Sequence, residues 1–184
     1  MSVPRYDKLL VLDLDETLVH ACEEPLDRPA EHRILDLHVY RRPHVDAFLR
    51  AVLERFEVGV WTAARPDYAM AVVSALMDPS RLRFVYARDR CTHHTDLETW
   101  EPTWLKDIRK LRRFGFPQAK ILVVDDSPEK LRRSYGNLVR VAPYEGRADD
   151  DELPMLLRYL DELGPIEDVR RIEKRGWRAR FSGA

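Results

Sequence analysis

The stretch Lys8-Leu-Leu-Val-Leu-Asp13 decides the fold, because it is a short apolar run that ends in an aspartate. A strand buried on both faces of a parallel sheet has this appearance. Similar runs recur along the chain, and segments with helical spacing of apolar residues separate them. The predicted strands are Lys8–Asp13, Phe56–Thr62, Leu82–Tyr86, Lys120–Asp125 and Leu138–Val141. This alternation predicts an α/β fold with a Rossmann-like, doubly wound parallel sheet of about five strands.

Helices are predicted between these strands from apolar residues that recur on one face. They start at Pro43, Asp67, Thr103, Ser127 and Leu153, and the third of them ends at Phe114 and carries Lys106. Two segments do not fit the alternation. The segment 32–41 alternates apolar and polar residues and predicts a strand in a flap, whereas the polar segment 87–100 predicts a loop.

The composition and length limit the charge, the number of domains and the location that can be expected of this chain. The 184 residues carry 31 Lys and Arg against 32 Asp and Glu, so no global basic field favours nonspecific nucleic-acid binding. Because domains hold roughly 100–200 residues, one domain over 1–184 is expected, with a core at 7–163 and a basic helix and tail at 164–184. No apolar run has membrane-spanning length, so we expect a cytoplasmic protein, monomeric or weakly dimeric.

Polar side chains gather where the predicted strands end. In open α/β sheets the ligand crevice lies beyond the carboxyl ends of the strands, so one crevice can collect them. The residues concerned are Asp13, Asp15, Thr62, Lys106, Asp125 and Asp126. Each of them alone has an ordinary explanation as a turn, a helix cap or a solvated charge, and only their joint occurrence indicates a catalytic site.

This set predicts a phosphoryl-transfer site. Asp13, Asp125 and Asp126 are hard oxygen donors that would repel one another, and Mg²⁺ is the cation that suits them. Asp13 can then act as a nucleophile that forms an aspartyl phosphate. Lys106 and Thr62 could neutralise and position the phosphoryl group.

Asp15 and Thr17, which follow Asp13 closely, support this chemistry. Asp15 is placed to protonate the leaving oxygen and afterwards to take a proton from the attacking water. Thr17 could fix the turn after the first strand by bonding to the backbone or to Asp15.

The motifs resemble those of haloacid-dehalogenase-superfamily phosphatases. Within that superfamily they are similar to the RNA polymerase II C-terminal-domain phosphatases and their small, NLI-interacting-factor-like relatives. The matching segments are Leu12-Asp-Leu-Asp-Glu-Thr-Leu-Val19, Arg42-Pro-His-Val-Asp-Ala-Phe-Leu49, Val60-Trp-Thr-Ala63, Leu105-Lys-Asp107, Val124-Asp-Asp-Ser-Pro128 and Tyr144-Glu-Gly146. Eukaryotic small members usually carry Asp-Asn in place of Asp125-Asp126, and this chain looks more like bacterial homologues.

The resemblance implies residue roles. Asp13 would be the nucleophile and a Mg²⁺ ligand, and Asp15 the acid and base, with its backbone carbonyl on the metal. Asp126 would bind Mg²⁺ directly or through water, and Asp125 would support it. The residues implied for the phosphoryl group are Thr62, Ala63 and Lys106.

The insertions at 22–42 and 87–102 are too short for an independent cap domain, which predicts an open site with at most a minimal cap and a short flap. An open cleft accepts a phosphorylated macromolecule, most simply a phosphoprotein with phosphoserine or phosphothreonine. The aromatic residues expected along the approach are Tyr40, Trp61, Trp100 and Trp104. Two alternatives remain open: a nucleic-acid end phosphatase that uses the basic tail, and a silent phosphate-binding or scaffold module.

Overall fold

A computed structural model describes residues 3–95 and 102–181 of the chain. Within these residues the strands form one five-stranded sheet and two smaller sheets. The strands are β1 (Leu9–Leu12), β2 (Val19–Cys22), β3 (His32–Ile34), β4 (Leu37–Arg41), β5 (Glu57–Trp61), β6 (Val85–Tyr86), β7 (Thr92–Thr95), β8 (Pro102–Leu105), β9 (Ile121–Asp125) and β10 (Leu138–Arg140). The α-helices are α1 (Val45–Arg55), α2 (Pro66–Leu76) and α3 (Glu152–Leu163).

The five-stranded sheet is parallel and has the order β10-β9-β1-β5-β6. The first strand, β1, lies at its centre, where Leu12 is opposite Val60 of β5 on one side and Val124 of β9 on the other. From β1 the chain adds β5 and β6 on one side of the sheet and later β9 and β10 on the other side. The direction in which strands are added therefore reverses at β1, and a crevice forms at the carboxyl end of this strand. This confirms the predicted α/β class and places the crevice beside Asp13.

The two faces of this sheet are covered differently. Leu10 and Leu12 of β1 belong to the apolar cluster that includes α1, α2 and α3, whereas Leu9 and Val11 belong to the cluster on the other face. There the cover includes a 3₁₀-helix, Ile108–Phe114, and the side chains of other short segments. The sheet is thus buried on both sides, as the continuous apolar strands indicate.

The predicted helix over 103–114 is wrong. Residues 102–105 form β8, and the 3₁₀-helix Ile108–Phe114 follows. Lys106 therefore lies just after a strand and not on a helix. The predicted loop at 87–100 is also partly wrong, because β7 lies in it and pairs antiparallel with β8. Trp100 lies outside the described residues.

The flap is a three-stranded antiparallel sheet with the order β2-β4-β3. The segment expected to be one strand turns at Leu35, which has a left-handed backbone (φ 51°), and continues as β4. The insertion between β1 and α1 is therefore a small sheet of short strands.

The basic C-terminal segment, expected to be a helix and a tail, is described as far as residue 181. It contains two 3₁₀-helices, Val169–Arg171 and Trp177–Arg180. Trp177 is buried and stacks on Tyr159 of α3 with ring centroids 5.2 Å apart. Residues 3–95 and 102–181 include no helix that is both long and apolar enough to cross a bilayer.

Candidate active site

Asp13 is the first residue after β1 and is 1% exposed. Its backbone N–H donates to the carbonyl of Val124, so its position is fixed against β9. Its carboxylate faces two ammonium groups, at 2.9 Å from Lys106 Nζ and 3.2 Å from Lys130 Nζ. Burial alone would raise the pKa of Asp13, but these two cations outweigh it and hold the pKa below its usual range. Asp13 is therefore kept as an anion, as a nucleophile requires.

Lys106 is fully buried and lies between two carboxylates. Its ammonium is 2.6 Å from Asp125 Oδ2 as well as 2.9 Å from Asp13. Burial lowers the pKa of Lys106, but Asp125 and Asp13 together raise it above its usual range. Lys106 is therefore charged and joins the ends of β1 and β9.

Asp125 and Asp126 complete an acidic cluster at the end of β9. One carboxylate oxygen from each of Asp13, Asp125 and Asp126 lies within 4.8 Å of the other two. Burial and the neighbouring Asp13 raise the pKa of Asp125, so a proton added to the cluster goes to Asp125 in preference to Asp13. Ser127 fixes both members, because its N–H donates to Asp125 Oδ1 and its hydroxyl to Asp126 Oδ2.

The donor set fits magnesium. Mg²⁺ binds hard oxygen ligands and commonly takes one or two carboxylates together with water. The other oxygen of Asp126, Oδ1, is buried without a hydrogen-bond partner among the described residues, and Lys130 Nζ approaches it only to 3.9 Å, so a cation closer to it would reduce the cost of its burial. Asp13, Asp125 and Asp126 are thus the carboxylates that could hold the ion.

Asp15 lies apart from this cluster of three. Its Oδ1 accepts a 2.6 Å hydrogen bond from the hydroxyl of Tyr68, and its Oδ2 is 3.4 Å from the hydroxyl of Thr62. Burial raises the pKa of Asp15 above its usual range, although the bond from Tyr68 opposes this. A carboxyl with a raised pKa can hold a proton, which suits a general acid.

The other predicted site residues, Thr62, Ala63 and Thr17, differ in their hydrogen bonds. The Thr62 hydroxyl, at the end of β5, accepts from the N–H of Ala64 at 3.0 Å. The carbonyl of Ala63 accepts from Arg88 Nε. The hydroxyl of Thr17 is buried and makes no hydrogen bond to the described residues, so the predicted bond to Asp15 or to the backbone is wrong.

The expectation that aromatic residues line the approach is wrong for two of them. Tyr40 and Trp61 are both fully buried and serve as core residues. Trp104, in contrast, is only partly buried and packs against His93 across β7 and β8.

Sequence reasoning missed three residues that organise the site. Lys130 sends its ammonium into the acidic cluster, and Tyr68 holds Asp15. Arg42, at the end of the flap, is buried and donates to the carbonyl of Thr17, which joins the flap to the loop after β1. It also pairs with the carboxylate of Asp150. The spacing of Asp126 and Lys130, four residues apart, was the available signal, but surface helices often show it.

The fold is shared with a solved hydrolase of the haloacid-dehalogenase superfamily from Geobacter sulfurreducens, with a TM-score of 0.53 and 17% identity over 83% of this chain and 98% of that one. The chain is similar to the structure of Fcp1, an essential RNA polymerase II CTD phosphatase, with a TM-score of 0.57 and 18% identity over 91% of this chain and 58% of that one. It also matches the N-terminal part of BF1531 from Bacteroides fragilis, which contains a phosphatase domain and is complexed with Mg, with a TM-score of 0.51 and 14% identity over 90% of this chain and 42% of that one.

The profile of the NLI interacting factor-like phosphatases matches residues 8–170, and the chain belongs to this family. It is 35% identical to a probable C-terminal domain small phosphatase of Dictyostelium discoideum, over 92% of this chain and 56% of the relative. It is 33% identical to the human carboxy-terminal domain RNA polymerase II polypeptide A small phosphatase 1, over 89% of this chain and 62% of the relative. With CTD nuclear envelope phosphatase 1 of Xenopus tropicalis it shares 32% identity, over 91% of this chain and 72% of that protein. The chain therefore spans little more than half the length of the first two relatives.

Proposed function

We propose that this chain is a magnesium-dependent phosphomonoester hydrolase that acts through an aspartyl phosphate on Asp13, and that its substrate is a phosphoprotein carrying phosphoserine or phosphothreonine. The observation that carries the proposal is the environment of Asp13. This buried carboxylate lies at the carboxyl end of the central strand, against Lys106 and beside two further aspartates. The names of the relatives, which are phosphatases, support the same reaction class.

The first step forms the covalent intermediate. A carboxylate oxygen of Asp13 attacks phosphorus, and the bond between phosphorus and the leaving oxygen breaks. Asp15 gives its proton to that oxygen, so the product leaves as an alcohol. The raised pKa of Asp15 keeps this proton available.

The second step returns the protein to its starting state. Asp15, now ionised, takes a proton from water, and the water oxygen attacks phosphorus. The bond to Asp13 breaks and inorganic phosphate leaves. Tyr68 holds the Asp15 carboxylate in place through both transfers.

Charge neutralisation completes the site. Asp13, Asp125 and Asp126 would hold magnesium, and the ion would supply positive charge to neutralise the phosphoryl oxygens. Lys106 and the groups at the end of β5, Thr62 and Ala63, would bind the same phosphoryl oxygens. Phosphoryl transfer depends mainly on such positioning and electrostatic stabilisation.

The two insertions favour a large substrate. Between β1 and α1 the chain forms only the sheet of β2, β3 and β4, and β7 and β8 form a hairpin. Short strands of this kind do not form a cap domain that would enclose a small metabolite, which favours a phosphorylated side chain on a protein surface as the substrate. The names of the relatives, which refer to a domain of RNA polymerase II, agree with a protein substrate.

Hydrolysis of p-nitrophenyl phosphate tests the reaction. We expect slow turnover that EDTA abolishes, Mg²⁺ restores and Asp13→Asn removes, whereas Asp46→Asn on the exposed surface of α1 leaves the rate unchanged. Absence of turnover in the folded, Mg²⁺-loaded chain would favour the silent scaffold.

A nucleic-acid end phosphatase is the second candidate, and one groove favours it. A cavity of about 880 Å³ lies between β10 and the C-terminal segment, and arginines line it, among them Arg140 and Arg170. Most other basic residues of that segment pair with carboxylates, for example Arg175 with Glu173 and Arg180 with Glu162, which reduces the field available to phosphates. Faster turnover of 5′- or 3′-phosphorylated oligonucleotides than of phosphopeptides would decide for this candidate.

A further inference from the structure

Lys130 follows the acidic pair closely in sequence and is fixed through its backbone. It lies in the 3₁₀-helix Pro128–Leu131, where its N–H donates to the carbonyl of Ser127. Its carbonyl accepts from the N–H of Lys106 at 2.8 Å, which ties this turn to the end of β8. The backbone therefore holds the root of the side chain beside the site, while the side chain keeps its own rotatable bonds.

The ammonium of Lys130 lies among the three carboxylates that suit a divalent ion. Its Nζ is 3.2 Å from Asp13 Oδ2, 3.8 Å from Asp125 Oδ1 and 3.9 Å from Asp126 Oδ1. Lys106 approaches the cluster through other oxygens, Asp13 Oδ1 and Asp125 Oδ2. Of the two lysines, Lys130 is thus the one that contacts all three members.

We propose that Lys130 is a displaceable internal cation: its ammonium neutralises the carboxylates of Asp13, Asp125 and Asp126 when no divalent ion is bound, and it must leave when Mg²⁺ enters. The inference rests on the magnesium site of the proposed function and does not depend on hydrolysis. Two cations within contact distance of the same oxygens repel each other strongly in a buried environment. The Lys130 ammonium and Mg²⁺ therefore compete for the same three carboxylates.

The side chain has a route out of the site. Lys130 is 20% exposed, whereas Lys106 is fully buried, so only Lys130 borders solvent. A lysine has a flexible stem and an ammonium that can rotate away without moving the backbone. Magnesium binding is then coupled to the movement of one side chain, and each cation lowers the affinity of the cluster for the other.

Titration of metal into EDTA-treated protein tests the coupling. With Mn²⁺ as the probe, free ion is measured by electron paramagnetic resonance, and Mg²⁺ affinity is measured by calorimetry. We expect Lys130→Met to bind both ions roughly tenfold more tightly than the native chain. Lys120→Met, which removes a lysine paired with exposed Asp7, is the matched control and leaves the affinity unchanged. Equal or weaker binding by folded Lys130→Met overturns the proposal.

A second measurement uses the native chain, in case Lys130→Met does not fold without metal. Acetylation of lysine side chains is followed by mass spectrometry with and without Mg²⁺. We expect labelling of Lys130 to increase when Mg²⁺ is added, while Lys120 is labelled equally in both samples. Labelling of Lys130 that stays constant or decreases overturns the proposal.

These results separate the inference from the proposed function. If the native chain binds Mn²⁺ and hydrolyses p-nitrophenyl phosphate but Lys130→Met binds no more tightly, only the role of Lys130 is lost. If neither chain binds Mn²⁺, the magnesium site is lost as well, and with it both proposals.

Discussion

The hydroxyl of Tyr68 donates a 2.6 Å hydrogen bond to Asp15 Oδ1, which ties the first turn of α2 to the loop after β1. This bond favours the ionised carboxylate and therefore opposes the effect of burial on the pKa of Asp15. Tyr68 is itself buried, so the bond is made inside the protein. The acid and base of the proposed reaction is thus oriented by a residue from another element.

Tyr68→Phe should alter the pH dependence of hydrolysis. Removing the hydrogen bond raises the pKa of Asp15, so the general acid keeps its proton to higher pH and the alkaline limb of the profile moves upward. We also expect kcat for p-nitrophenyl phosphate to fall roughly tenfold, since the carboxyl is less well oriented. Steady-state kinetics across pH measure both effects. Tyr135→Phe, at a half-exposed position, is the control, and an unchanged profile in Tyr68→Phe would contradict the assignment.

Arg42→Ala should destabilise the fold strongly. The buried guanidinium binds both oxygens of Asp150, at 2.7 and 2.9 Å, and the carbonyls of Thr17 and Ala142. Breaking a buried ion pair leaves an uncompensated charge and costs about 3–5 kcal/mol. Urea unfolding measures the loss.

A neighbouring ion pair provides the control for Arg42. Arg147 pairs with Asp149 at 3.0 Å on the surface, where both side chains are mostly exposed. Arg147→Ala should change stability by less than about 1 kcal/mol. A similar loss in both variants would show that burial of Arg42 is not the cause.

Gly59→Ala should destabilise the chain by overpacking. A Cβ at position 59 would lie 2.4 Å from Cζ of Phe84, so the ring has to move. Overpacking of this kind costs about 1–3 kcal/mol in the free energy of unfolding. Phe84→Leu in the same chain should recover part of the loss in a double-mutant cycle. Gly136→Ala, whose Cβ would meet nothing closer than 3.4 Å, is the control.

Glu152→Gln should flatten the dependence of stability on pH. Burial raises the pKa of Glu152, at the start of α3, above its ordinary value of 4.5. The native state then binds the proton more tightly than the unfolded state, so the contribution to stability falls as pH rises from 4.5 towards the native pKa. Glutamine has no proton to lose in this window.

Urea unfolding between pH 4 and 7 measures this effect, since the difference in stability between the native chain and Glu152→Gln should change with pH. Glu162→Gln, a substitution of the same size at an exposed position of α3, is the control. A constant difference across the range would argue against a raised pKa for Glu152.

The sheet and the acidic residues of the site were predictable because local sequence determines them. β1 is an uninterrupted apolar run followed at once by Asp13, and β9 is an apolar run that ends in Asp125. A strand that ends at the carboxyl edge of a parallel sheet delivers the next side chain to the crevice, so Asp13 and Asp125 needed no knowledge of distant contacts.

The segment that carries Lys106 was misassigned for a physical reason. Leu105, Ile108 and Leu111 recur every three residues, which fits one face of an α-helix. A 3₁₀-helix has three residues in each turn and gives the same pattern. Pairing of β8 with β7 decides the outcome, and that pairing is a tertiary contact.

Tyr68 and Lys130 could not be assigned roles from the sequence, because their partners are remote or ordinary. Tyr68 lies 53 residues from Asp15, and Lys130 lies 117 residues from Asp13. Nothing in either local pattern distinguishes these side chains from core and surface residues. Their roles follow only from the meeting of β1, β5 and β9 at one edge.

The unequal cover of the sheet has a mechanical consequence for the charges of the site. The anions Asp13 and Asp125 are carried by the ends of central strands, whereas the cations Lys106 and Lys130 are carried by the short segments around the 3₁₀-helices. Helices of this type have poorer hydrogen-bond geometry than α-helices and are short. The central sheet therefore fixes the negative charges, and rearrangement of charge at this edge means movement of the Lys130 side chain relative to Asp13 and Asp125.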